Sequence, residues 1–172
     1  MGKTLTSVDI DATIKAMGVD LAGLLAQREI TQPLMIGVHT GGLWVAQKMH
    51  QALGLSKPLG EIDISFYRDD FTRIGLNPQV KPSQIPVSIE GEDIVLVDDV
   101  LYTGRTVRAA LNEIFDYGRP ASIHLCVLVE RNGRELPIQA DYCGLKIDLS
   151  HDQQVKLTGP ENMSLIIGDN KS

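Results

Sequence analysis

Leu34–Val38 and Ile94–Val97 are apolar at every position, and Ile123–Val129 is nearly so. A strand with one wet face alternates polar and apolar residues, so a strand without alternation needs cover on both faces. The stretches around these runs supply that cover. Ile10, Ile14, Met17, Leu21, Leu24 and Leu25 recur at three and four, predicting an amphipathic helix over 9–29. Thr40-Gly41-Gly42 turns the first run into a helix of about 43–53. A glycine-containing turn leads the second run into a helix of about 106–115, with Val107, Ala110, Leu111 and Ile114 inward, and Gly118-Arg119-Pro120 stops it. Glu61–Tyr67 alternates and reads as a further strand. Short apolar strands alternating with amphipathic helices predict an α/β domain: a parallel sheet flanked by helices on both faces. At 172 residues, with no repeat or linker, residues 1–172 make a single domain.

Charge narrows the partners. The chain carries 16 basic and 22 acidic residues, a net charge of -6, the wrong sign for a general nucleic-acid binder. The imbalance is local, because residues 61–120 hold 6 basic and 11 acidic side chains. No apolar run approaches the roughly 18 residues that span a bilayer, so no membrane role is expected. Cys126 and Cys143 form no CxxC pair, which fits a reducing cytoplasm, and Cys126 reads as a small core residue. The four histidines lack ligand spacing for zinc. Residues 71–92 carry Gly75, Pro78, Pro82, Pro86 and Gly91 without helical period, the pattern of a functional lid or a disordered segment.

The chemistry concentrates in Ile94-Val95-Leu96-Val97-Asp98-Asp99-Val100-Leu101-Tyr102-Thr103-Gly104-Arg105-Thr106. An apolar strand delivers two adjacent carboxylates to its carboxyl end, where open α/β sheets bind ligands. The turn that follows opens directly into a helix, whose first N–H groups, with the Thr103 and Thr106 hydroxyls, suit a phosphate. Carboxylates beside a phosphate cradle fit a sugar phosphate, the acids accepting from ribose hydroxyls or organising Mg²⁺. There is no Walker loop, no GxGxxG fingerprint and no GxSxG nucleophile.

This run resembles the phosphoribosyl pyrophosphate (PRPP) signature of type I phosphoribosyltransferases. Gly60–Asp70, Val100–Arg108, Gly118-Arg119-Pro120 and Arg134–Ile138 further resemble the bifunctional pyrimidine operon regulator/uracil phosphoribosyltransferase family (PyrR-type), over roughly residues 30–150. The resemblance implies a type I phosphoribosyltransferase fold with a mobile lid at about 71–92 and a small hood at about 130–150. It implies a Mg²⁺-dependent transfer in which uracil and PRPP give UMP and pyrophosphate. By position, Asp98 and Asp99 are the ribose-contacting and metal-organising pair, and Val100, Leu101, Tyr102, Thr103, Gly104, Arg105 and Thr106 form the 5′-phosphate loop. His39, Thr40, Gly41 and Gly42 fall in the pyrophosphate loop, Arg68 is the remaining cation for phosphate, and Val129, Glu130 and Arg131 fall in the base hood. Tyr102 stands where purine-using relatives commonly carry an Asp, which favours a pyrimidine. A homodimer or higher homo-oligomer is implied.

Two departures from that pattern alter the expectation. Many relatives have Lys and Arg around the pyrophosphate-loop Thr, where this chain has His39 and Gly41. Relatives that bind operon leader RNA carry basic residues on the first helix, where residues 16–27 here carry none, although Arg134 and Lys146 remain downstream. Each missing phosphate contact lowers affinity, so leader RNA is expected to bind weakly and the transferase to be the main activity. The rival reading is an RNA-binding attenuator that senses UMP and PRPP with little turnover.

Overall fold

The computed structural model of the chain describes residues 2–5, 8–65 and 83–170. Five strands form one sheet: β2 (Leu34–Val38), β3 (Gly60–Ile62), β4 (Asp93–Leu101), β5 (Ser122–Arg131) and β6 (Tyr142–Ile147). Their order is β3-β2-β4-β5-β6, and every neighbouring pair is parallel. The helices are α1 (Ile10–Gln27), α2 (Gly41–Leu53) and α3 (Arg105–Tyr117). Asp9 caps α1 by accepting the Ala12 N–H at 3.0 Å. Gly54, at φ 59°, closes α2.

The unbroken apolar runs are explained by the two cores they serve. Met35, Val95, Val97, Cys126 and Leu128 face α1 and α2. Leu34, Ile36, Ile94, Leu96 and Val127 face Val107, Ala110 and Ile114 of α3 on the other side. Cys126 is fully buried. Desolvation, with the Asp141 carboxylate second, pushes its thiol up to about 12, as befits a core residue.

Several boundaries differ from expectation, each for a visible reason. β4 runs on through Asp98 and Asp99 to Leu101 because β5 continues to pair with it as far as Glu130. β3 stops at Ile62, since the Asp63 carboxylate accepts the Ser65 N–H at 3.0 Å and turns the chain. Of the stretch 71–92 expected as a lid, the described end is packed on the main sheet. Gln84 exchanges two 2.8 Å backbone hydrogen bonds with Glu61, and Ile89 is buried in the α3-side core. Residues 71–82 of that stretch, and Arg68, lie outside the described residues.

The stretch 130–150 contains the end of β5, a run of turns and edge strand β6, so it belongs largely to the main sheet. A second, three-stranded sheet is built instead from β1 (Lys3–Thr4), β7 (Gln153–Thr158) and β8 (Ser164–Asp169), in the order β1-β8-β7 and antiparallel. Leu157 and Leu165 anchor it in the α1/α2-side core. No helix among the described residues is long and apolar enough to cross a membrane.

Candidate active site

The strand order reverses direction between β2 and β4: from β2 the chain passes to β3 on one side, and from β4 to β5 on the other. In open parallel sheets the crevice at the carboxyl ends of such a pair is where ligands bind. A cleft of about 630 Å³ lies there. One wall is His39, Thr40, Gly41 and Trp44; the floor is Asp98, Asp99, Val100 and Thr106; Asp63 to Ser65 and Gln154 to Leu157 complete it.

Close packing explains the glycines of the β2–α2 turn. A Cβ on Gly37 would lie 2.8 Å from Leu43 Cα, and one on Gly42 would lie 2.8 Å from both Val97 O and Asp98 Cα. A Cβ on Gly41 would overlap the Asp99 carboxylate, so the absence of a side chain there is a packing requirement. The turn therefore sets the start of α2 directly against the acidic end of β4.

The acid pair is tightly arranged. Asp98 is buried at 3% exposure, and its Oδ1 accepts the Asp99 N–H at 2.9 Å. Asp99 Oδ1 accepts the Val100 N–H, also at 2.9 Å, while Oδ2 faces Gly41. Beyond them the chain turns at Gly104, whose φ of 95° suits glycine. The turn is braced from behind: the Thr103 carbonyl accepts the Glu135 and Leu136 N–H groups at 3.0 and 3.2 Å. Thr103 Oγ1 accepts the Arg105 N–H at 3.2 Å, and Arg105 Nε pairs with Glu135 at 3.1 Å on the exposed side. Neither Thr40 nor Gly104, the N-cap residues of α2 and α3, caps its helix with a side chain; in α3 the Arg105 N–H is already taken by Thr103 Oγ1, and Thr106 follows it at the cleft, where helix N-termini favour an anion.

His39 opens the other wall. Its N–H donates to the Ile62 carbonyl at 2.9 Å, and its Nε2 lies 3.1 Å from Glu61 Oε2.

The residues expected as the base hood, Val129, Glu130 and Arg131, do not line this cleft. Val129 is in the core, with its backbone laddered to both β4 and β6. Arg131 donates to the carbonyls of Gln153 at 2.6 Å and Ser150 at 3.4 Å, tying the small sheet to β5, and its guanidinium lies 3.9 Å over the Tyr102 ring. With Glu130 it lines a separate hollow of about 330 Å³. Leu101 is likewise core. The cleft instead receives Trp44, Asp63, Ser65 and Gln154 to Leu157, which sequence reasoning missed.

A phosphoribosyl transferase domain model matches residues 12–162. The chain belongs to the phosphoribosyltransferase family. Within that family it is 58% identical over 163 residues to the Bifunctional protein PyrR of Nitrosococcus oceani, covering 94% of this chain and 92% of that one. It is 56% identical over 149 residues to the Bifunctional protein PyrR of Pseudomonas paraeruginosa, covering 87% and 88%. It is therefore a PyrR-family phosphoribosyltransferase. The fold is shared with a Trypanosoma cruzi hypoxanthine phosphoribosyl transferase, at TM-score 0.62 and 26% identity over 82% of this chain and 75% of that one. A structure described as a glutamine mutant of an invariant aspartic acid in HPRTs matches at TM-score 0.63 and 27% identity, over 81% and 77%.

Proposed function

We propose that this phosphoribosyltransferase joins uracil to PRPP, giving UMP and pyrophosphate. The observation that carries the reading is the meeting of three elements in one cleft: the Asp98-Asp99 pair and the uncapped N-termini of α2 and α3. A 5-phosphoribosyl group with a diphosphate at its anomeric carbon has two anionic ends and hydroxyls between them. The N–H groups of α3 with Thr106 take the 5′-phosphate, those of α2 with His39 and Thr40 take the diphosphate, and Asp98 and Asp99 accept from the ribose hydroxyls. Arg68, outside the described residues, is the further cation that the family resemblance implies for phosphate.

Asp98 and Asp99 are adjacent carboxylates in the cleft, a hard oxygen donor set that fits Mg²⁺ of the kind held by one or two carboxylates, substrate oxygens and water. Asp98 and Asp99 would hold it, and when bound it neutralises charge on the leaving pyrophosphate. The chain's own part is positioning: the fixed turns hold the anomeric carbon, and no nucleophilic side chain is needed. Uracil is favoured because Tyr102, held under Arg131, places no carboxylate at the position where purine-using enzymes have one.

The test is UMP formation from uracil and PRPP with Mg²⁺, beside hypoxanthine, guanine and orotate. Faster use of hypoxanthine or guanine refutes the base assignment. A second reading, binding of pyrimidine leader RNA by a homo-oligomer, is favoured by the bifunctional name of the relatives. Exposed Arg134 and Lys146 are its cations, and α1 offers none over residues 16–27. Weak binding at about 150 mM salt is therefore expected. Nanomolar binding enhanced by UMP would make regulation the main activity.

A further inference from the structure

Glu61 has more support than a surface carboxylate on an edge strand needs. Its backbone is laddered to Gly37 of β2 on one side, and on the other both its N–H and its carbonyl are bonded to Gln84 at 2.8 Å. Its side chain crosses to His39, whose N–H is itself fixed on the Ile62 carbonyl. His39 lines the cleft and Glu61 does not, so of the pair it is His39 that borders the ligand space. The His39 side chain is only 11% exposed, against 27% for Glu61, which strengthens the pair over a solvated one.

We infer that Glu61 is a positioning residue for His39: it fixes the imidazole with a hydrogen on Nε2, so that His39 meets the diphosphate of PRPP as a two-sided cationic bridge. A carboxylate only accepts, so the hydrogen in the 3.1 Å contact sits on Nε2, leaving Nδ1 as the second ring nitrogen. A diphosphate oxygen also only accepts. An imidazole between the two is satisfied only when both ring nitrogens carry hydrogen, with the extra proton taken from solvent as PRPP binds. The charged groups that share the cleft with His39 are Asp63, Asp98, Asp99 and Lys156 of β7, with Glu61 of β3 bonded to its ring. This pair supplies positive charge in a loop where Gly41 leaves no room for a cationic side chain.

The inference rests on the phosphoribosyltransferase reading, and its test separates the two. Long-range proton–nitrogen spectra of His39, assigned by loss of its signals in His39→Gln, should show one tautomer with hydrogen on Nε2. Glu61→Ala should convert this to a mixture of tautomers. In steady-state assays Glu61→Gln should raise KM for PRPP about tenfold, the scale of one weakened charge-assisted hydrogen bond. KM for uracil should change less than twofold. Titration of Mg-pyrophosphate followed by Trp44, the only tryptophan of the chain and a cleft residue, should weaken about as much in Glu61→Gln. Histidine spectra unchanged by Glu61→Ala, or equal rises in KM for PRPP and uracil, overturn the inference. If the chain forms no UMP, the proposed function fails, and the spectra with the pyrophosphate titration still decide the role of Glu61.

Discussion

Alanine at Gly42 and alanine at Gly23 are the same chemical change in two helices, and the structure assigns them opposite signs. At Gly23, within α1, a new Cβ meets nothing within 4 Å. The chain then gains only the reduced entropy cost of the helix, about 0.5–1 kcal/mol in favour of folding. At Gly42 the same Cβ falls 2.8 Å from Val97 O and Asp98 Cα, inside the 3.0 Å that real Cβ atoms essentially never cross. Both obstacles are backbone atoms of β4, held in ladders to β2 and β5, so neither can swing aside as a side-chain tip would. Overpacking of this kind costs about 1–3 kcal/mol, and the helix gain offsets part of it. A net loss of up to about 2.5 kcal/mol is expected for Gly42→Ala. The two variants then differ by the overpacking cost of about 1–3 kcal/mol, and at about 2–4 °C per kcal/mol for a domain of this size they should melt about 2–12 °C apart, on opposite sides of the parent. Thermal unfolding followed by circular dichroism measures this directly. Relief of the overlap moves the start of α2 away from the acid pair, so Gly42→Ala should also raise KM for PRPP while Gly23→Ala leaves it alone. Equal melting temperatures for the two variants, or a stabilised Gly42→Ala, would refute the claim that backbone contact with β4 fixes the turn.

Asp99→Asn keeps an acceptor for the Val100 N–H and should fold normally. Its kcat/KM for PRPP should fall roughly ten- to a hundredfold, and parental kinetics in the folded variant would remove Asp99 from the site. Cys126 should resist thiol reagents in the native state and react only on unfolding, because its buried thiol stays protonated up to about 12. The same shift makes stability depend on pH: the contribution is complete below about 9, where the unfolded thiol is still protonated, and is lost as pH rises toward 12. Cys126→Ala should flatten urea-derived stability across that window, and an unchanged slope would show that other groups set it.

Local runs were legible wherever sequence neighbours stay neighbours in space. Leu34–Val38 is the second strand to the residue, because its apolar side chains serve both cores and His39 begins the turn. The acid pair and the Thr103-Gly104 turn were legible for the same reason: one strand–turn–helix passage carries them all. Where the reading stopped short, polar residues had been taken to mark the end of a strand. Asp98 and Asp99 interrupt the apolar run but not the pairing, which β5 alone decides.

The residues expected as the hood make contacts that a sequence pattern does not show. Val129–Arg131 are the last residues of β5; Val129 and Glu130 are laddered on both sides and cannot turn their backbone toward a ligand, and the Arg131 guanidinium is committed to Tyr102 and to the carbonyls at 150 and 153. That commitment is what brings the true wall into place. By gripping the turn before β7, Arg131 swings Gln154 to Leu157 back over the carboxyl ends of β2 and β4, more than fifty residues along the chain from Asp99. β7 has no unbroken apolar run, only the half-buried alternation of an antiparallel strand that needs β8 to exist. Its place over the cleft is a property of tertiary contact, as is the bond between His39 and Glu61 across twenty-two residues. Binding groups carried by a single strand–turn–helix passage can be read from sequence, whereas the groups that orient and enclose them come from chain segments that only folding brings together.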